Sequence, residues 1–173
     1  MISSILATVT AILVIVGDRL TKSFILSHYT LAESHDIIPG LIDFTFVNNS
    51  GGAWGMLSGH IWILLSFTIV AMMVCVAMLL KYGFQNKLMF WSMMLILSGG
   101  IGNMIDRIIY KGQVVDFIHF TFFPTFPVFN VADCAIVIGG GLLILCFIIS
   151  AINDKQKSKH YSPTMHENTN DNG

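Results

Sequence analysis

Four apolar runs, at 2–26, 61–80, 88–105 and 131–152, divide this chain. Each is close to the roughly 20 residues a helix needs to cross a hydrocarbon core. A segment in hydrocarbon must satisfy its own backbone N–H and C=O groups, so each run is expected to be a spanning helix. Composition points the same way: 54% of the 173 residues are hydrophobic and 11% are charged, where water-soluble domains carry about a quarter. Mean hydropathy is +0.74. A formal net charge of −1 offers no basic surface for nucleic acid.

The first run has no basic start, and no small-residue cleavage pattern follows it, so it reads as a retained helix rather than a leader. Lys81 and Lys87 flank the connection between the second and third runs, and Lys155, Lys157 and Lys159 follow the fourth. Residues 28–60 hold no Lys or Arg. The excess of basic residues on cytoplasmic loops then puts both termini in the cytoplasm and residues 27–60 and 107–129 on the opposite face. Arg107 and Lys111 are exceptions, and Arg107 is expected to have a partner within the protein.

Ile42 to Val47 alternates in part and ends in Asn48-Asn49-Ser50-Gly51-Gly52, a turn composition. Residues 114–123 are rich in β-branched and aromatic side chains and stop at Pro124. The expected fold class is therefore all-α and integral to the membrane: four transmembrane helices with a small extracytoplasmic β-element. Residues 1–153 form one domain in this reading, and 154–173 a polar cytoplasmic tail without fixed structure.

Cys75, Cys134 and Cys146 lie inside apolar runs, in odd number and without metal spacing, and read as small buried hydrophobes. Cys134 follows Asp133 directly, but a cysteine nucleophile needs a paired base and no His stands beside it in sequence.

Acidic residues at membrane depth are costly, and Asp18, Asp106, Asp116 and Asp133 all fall at the outer ends of helices or in outer loops. Asp18 and Lys22, four apart on one helix face, read as a local ion pair at the interface, with Arg19 beside them. Gly99, Gly100 and Gly102 allow close approach of a helix or a substrate. Asn103 and Arg107 share a face, and Arg107 suits a carboxylate or carbonyl. Asn130 reads as the N-cap of the fourth helix with Asp133 at N3, where the helix dipole favours a carboxylate. Asp116 stands among apolar side chains, where a carboxyl tends to keep its proton. Singly, Asp116 and Asp133 are ambiguous between structure and chemistry. As a pair they fit an aspartic peptidase, in which two carboxyls share a proton, one activating water and the other serving the scissile carbonyl.

In order along the chain stand Asp18-x-x-x-Lys22, Asn49-x-Gly51-x-Ala53, Gly99-Gly100-x-Gly102-Asn103-x-x-Asp106-Arg107, Val115-Asp116-Phe117-Ile118 and Phe129-Asn130-x-Ala132-Asp133. This set resembles the lipoprotein signal peptidase (signal peptidase II) family of aspartic membrane peptidases, and covers the chain up to its tail. The resemblance implies a catalytic pair, Asp116 and Asp133. Asn49, Gly100, Asn103, Arg107, Asn130 and Ala132 match positions around the site, and Asp18, Lys22 and Asp106 are structural ion-pair residues. It implies removal of the signal peptide from prolipoproteins, just before a cysteine bearing a diacylglyceryl group, with no cofactor and no metal. The implied partners are that substrate and membrane lipid, the setting is a bacterial cytoplasmic membrane, and the chain is expected to act as a monomer. Helices two and three, with their glycines, are expected to admit the signal helix laterally. Two departures stand out: His119, where the family often has an acid, and Trp54, where it commonly has Phe.

Two competing classes make different demands. A proton-conducting transporter would spread its acids through the membrane's depth. A structural scaffold would make every acid a cap or an ion-pair partner.

Overall fold

The computed structural model describes residues 2–161. The four apolar runs become α1 (Ile2–His28), α2 (Ile61–Met78), α3 (Lys87–Ile109) and α4 (Val131–Tyr161). α2 continues through one wide π-type turn at Leu79–Gly83, and all four helices are long and apolar enough to cross a membrane. Asn86 starts α3 cleanly: its side-chain oxygen accepts the N–H groups of Leu88 (2.9 Å) and Met89 (3.2 Å), which otherwise lack helical partners. α4 extends well beyond the apolar run, so the boundary expected after Asn153 is not the end of that helix. The remainder of the expected tail, 162–173, lies outside the described residues.

α3 is the central helix. Of its spanning window 56% is buried, against 17%, 11% and 17% for α1, α2 and α4, whose apolar surfaces face outward. Close crossing of α3 and α4 depends on small residues. A Cβ on Gly99 would lie 2.2 Å from the Ala132 carbonyl oxygen, and one on Gly139 would lie 2.9 Å from that of Ser92. The Ser92 hydroxyl donates to the Gly139 carbonyl at 3.0 Å, so the crossing is also hydrogen-bonded. Overpacking at such a point costs about 1–3 kcal/mol. Gly99→Ala should therefore lower the thermal unfolding midpoint in detergent, and an unchanged midpoint would contradict this packing.

The β-element is an antiparallel sheet of β1 (Ser34–Ile38), β2 (Ile42–Asn49) and β3 (Val114–Phe120), in the order β1-β2-β3. β2 and β3 match the alternation and β-branched content of their segments, although β3 stops at Phe120. β1 was not apparent from sequence because it is short, begins Ser-His-Asp and is exposed at every position. Lys111 and Gly112, both at positive φ, turn the chain from α3 into β3. Under the sheet, Ile25 at the end of α1 packs with Phe46, Val115 and Phe117. This core anchors β3, and with it Asp116, to α1.

One further link positions the site. Phe129 exchanges backbone hydrogen bonds with Ile118 (2.8 and 3.0 Å) and accepts from Phe117 N–H (3.0 Å). The residue before Asn130 is thus clamped to the residues after Asp116, and the start of α4 lies beside β3.

Candidate active site

Asn130 joins the two candidate carboxylates. Its side-chain oxygen accepts the Asp133 N–H (2.9 Å) while its own N–H donates to Asp133 Oδ2 (3.2 Å), a reciprocal capping box at the N-cap and N3 positions expected from sequence. Its Nδ2 donates to Asp116 Oδ1 at 2.6 Å and to Asn103 Oδ1 at 3.1 Å. Asn49 Nδ2 donates to the other Asp116 oxygen at 2.8 Å, a contact made possible by the β2–β3 register, which sets Val47 opposite Asp116. Asn103 Nδ2 donates to Asp133 Oδ1 at 2.8 Å. Three asparagines, from β2, α3 and the start of α4, therefore orient both carboxylates.

The pair opens onto a cavity of about 530 Å³. Its lining includes Asn49, Trp54, Asn103, Arg107, Asp116 and Asp133, with an apolar wall from Phe120, Phe126, Phe129 and the α4 residues Ile136, Val137 and Ile138. Phe120, Phe126 and Phe129 contact one another with ring centroids 5.0–5.8 Å apart. Few polar groups in a mostly apolar hollow is the usual make-up of a site for an apolar ligand. Trp54 has φ 54°, a backbone conformation unfavourable for a side chain of its size, and meets Phe126 edge-on at 6.2 Å.

Burial holds the Asp116 carboxyl well above the ordinary carboxylate range, at about 7, and the charge of Asp133 adds to the effect; the bonds from Asn49 and Asn130 oppose it. Asp116 thus keeps a proton close to neutrality, as a pair sharing one proton requires. The sign for folding is the opposite of a salt-bridged acid. The unfolded chain releases this proton near 3.8 and the folded chain near 7. The associated stability is therefore complete below 3.8 and lost as pH rises through 7.

The expected Asp18–Lys22 pair is present, but it is buried rather than interfacial and is shared with Asp106. All three are fully buried, and Lys22 Nζ lies 2.8 Å from Asp18 and 2.9 Å from Asp106. Asp106 also pairs with Arg19 and accepts the Val115 N–H at 3.2 Å, next to Asp116. Asp18 Oδ1 accepts the Ala132 N–H at 3.0 Å, at the first turn of α4. These two roles were not legible in the sequence, since the partners are separated by 9 and 114 positions and carry no side-chain signature.

Gly100 and Ala132 do not line the cavity. A Cβ on Gly100 would meet Met72 of α2 at 3.3 Å, so α2 and α3 are packed where a lateral opening was expected. Ala132 is fully buried against Gly99 and Gly102. Arg107 lines the cavity and donates to the Asn103 carbonyl at 3.4 Å. Cys134 lines it too, but no His does. His119, one of the two departures, sits across the sheet from Asp43 with its Nδ1 3.0 Å away, which offsets the burial of that acid.

Fold and site together define a multi-pass membrane protein built around a pair of carboxylates, Asp116 buried and Asp133 half-buried at the cavity. Comparison with known proteins carries this further. The pattern of the family described as Signal peptidase (SPase) II matches residues 10–149. The lipoprotein signal peptidase of Bacillus pumilus (strain SAFR-032) is 36% identical over 149 residues, covering 86% of this chain and 96% of that one. That of Staphylococcus aureus (strain JH9) is 35% identical over 148 residues, covering 85% and 90%. A bacterial membrane enzyme structure obtained by the in meso method at 2.3 Å resolution superposes with a TM-score of 0.79 at 34% identity, covering 88% of this chain and 92% of that one. A second, at 1.9 Å, gives 0.74 at 34%, covering 85% and 93%. The chain belongs to the signal peptidase II family and is a membrane peptidase.

Proposed function

We propose that this peptidase removes the signal peptide from diacylglyceryl-modified prolipoproteins, cleaving before the lipidated cysteine, with Asp116 and Asp133 as an aspartic dyad. The observation that carries the reading is the joining of the two carboxylates through Asn130 at an apolar cavity. In the dyad, the ionised carboxylate takes a proton from water as the water attacks the scissile carbonyl. The protonated carboxyl hydrogen-bonds the carbonyl oxygen as negative charge develops there. The protons belong to the pair as a unit. Arg107 on the cavity wall suits a backbone carbonyl near the cleaved bond. The aromatic wall suits acyl chains. Val137 and Ile138 on α4 are 73% and 57% exposed and border the cavity, so the signal helix approaches along α4 rather than between α2 and α3.

The same reading places the enzyme in a bacterial cytoplasmic membrane as a monomer with both termini inside and the site towards the outer face, using no metal or organic cofactor. A transporter is disfavoured because Asp116 and Asp133 are joined through Asn130 at one end of the bundle rather than lining a path through it.

The test is a gel-shift assay of purified enzyme in detergent with a prolipoprotein that does or does not carry its diacylglyceryl group. Cleavage of the lipidated form alone is expected, and equal cleavage of both forms would remove the lipid from the specificity. The rate should fall as pH rises through about 7, because the dyad then loses its shared proton. A rate that keeps rising from about pH 6 to about pH 9 would contradict a dyad that works with one proton.

A further inference from the structure

Lys22 is a fully buried cation that the proposed chemistry does not use. Its Nζ reaches Asp18 on its own helix and Asp106 on α3, and donates to Asn103 Oδ1 at 3.2 Å. A lysine ammonium has only donors, so this bond fixes which way the Asn103 amide points. The Asn103 oxygen faces Lys22 and Asn130, and its Nδ2 is left facing Asp133. Lys22 is also within electrostatic reach of both Asp116 and Asp133.

The charges around it can be counted element by element. α1 contributes Asp18, Arg19 and Lys22; α3 contributes Asp106 and Arg107, which lies within electrostatic reach of Asp133, Asp116 and Asp106. β3 contributes Asp116 and α4 contributes Asp133. Asn49 from β2, with Asn103 and Asn130, is neutral. The cluster also holds a phenol, Tyr110 against Arg19, and a thiol, Cys134. Among these groups four carboxyls face three cations. Asp18, Lys22, Asp106 and Asp116 at its centre are fully buried, where an unbalanced charge is strongly unfavourable, and the cluster is neutral when it holds one proton.

We propose that Lys22 is a positioning residue for the dyad: its charge sets the number of protons shared by Asp116 and Asp133 at one, and its bond to Asn103 aims a donor at Asp133. This rests on the reading of Asp116 and Asp133 as the reacting pair. Asp18 and Asp106 hold Lys22 and Arg19 in ion pairs, and Arg107 lies within electrostatic reach of both carboxyls of the dyad.

The experiment is the pH profile of kcat/KM for lipidated prolipoprotein with Lys22→Met, Lys22→Arg and the double variant Asp18→Asn/Lys22→Met. Removing one cation makes a second proton favourable, so in Lys22→Met the acid limb moves up by about one pH unit or more, and activity lost near neutrality returns at alkaline pH. Lys22→Arg keeps the charge and the limb. The double variant removes one charge of each sign, and its limb returns towards that of the wild type. A merely structural lysine predicts the reverse: activity lowered equally at every pH, and a double variant worse than the single. Either that pattern or an unmoved limb in folded Lys22→Met overturns the proposal. Should Lys22→Met not fold, the protonated-carboxyl infrared band of the wild type decides. Near pH 6 the intensity of one buried protonated carboxyl is expected, and that of none or of two overturns the proposal. Asp116→Asn or Asp133→Asn that remains active would instead overturn the dyad itself. Inactive amide variants with an unmoved Lys22→Met limb would remove only the role of Lys22.

Discussion

Asp116→Asn and Asp133→Asn should each lower the cleavage rate by at least about a thousandfold, since positioned acid–base groups contribute about 10²–10⁴ and neither role survives in an amide. The loss should fall on kcat, because an amide is nearly the size and shape of the carboxyl and leaves the cavity wall in place. At Asp116 one of the donors Asn49 and Asn130 still finds an oxygen, while the other faces the new NH2 group. At Asp133 the amide can still accept one of the bonds offered by Asn103 Nδ2 and the Asn130 N–H. Both variants should therefore remain folded and membrane-inserted, as judged by unfolding midpoint in detergent. A variant with a wild-type midpoint and more than about a tenth of wild-type kcat would show that its carboxyl does not do the chemistry.

Asn130→Ala should produce the second largest effect, on rate and stability together. Asn130 is fully buried, and its side chain holds Asp116, Asn103 and the N–H of Asp133 at once. Losing an N-cap costs about 0.5–2 kcal/mol, and each buried polar group left without a partner costs about 1–3 kcal/mol. A displacement of about 1 Å in a catalytic group is enough for a hundredfold loss of rate, and the variant frees Asp116 from one of its two side-chain donors. A lower unfolding midpoint with a rate reduced about a hundredfold is expected. A stable variant with a wild-type rate would mean that the asparagine link is dispensable.

The four helices were legible because hydrocarbon imposes one solution on a long apolar run, and the sheet was partly legible because β2 and β3 are apolar on one side. β1 was hidden because an exposed edge strand needs no apolar pattern. Asn130 and Asp133 could be read as a local unit, since a capping box is set by spacing within one turn. Asp18 was read only against Lys22 for the same reason: i, i+4 spacing is visible, whereas its bond to the start of α4 is made by a backbone N–H. Gly100 looked like an opening because sequence shows that a glycine permits close approach but not what approaches; here it is Met72. The cavity's α4 wall escaped notice because Ile136, Val137 and Ile138 are indistinguishable in sequence from lipid-facing neighbours.

The decisive measurement is mass spectrometry of the products formed from a diacylglyceryl-modified prolipoprotein. Hydrolysis by the Asp116–Asp133 dyad before the lipidated cysteine predicts two products: an unmodified signal peptide ending one residue before the cysteine, and a lipoprotein beginning with the lipidated cysteine. Both should be absent with Asp116→Asn or Asp133→Asn. Cleavage at another bond, or the same products from either folded amide variant, would contradict it.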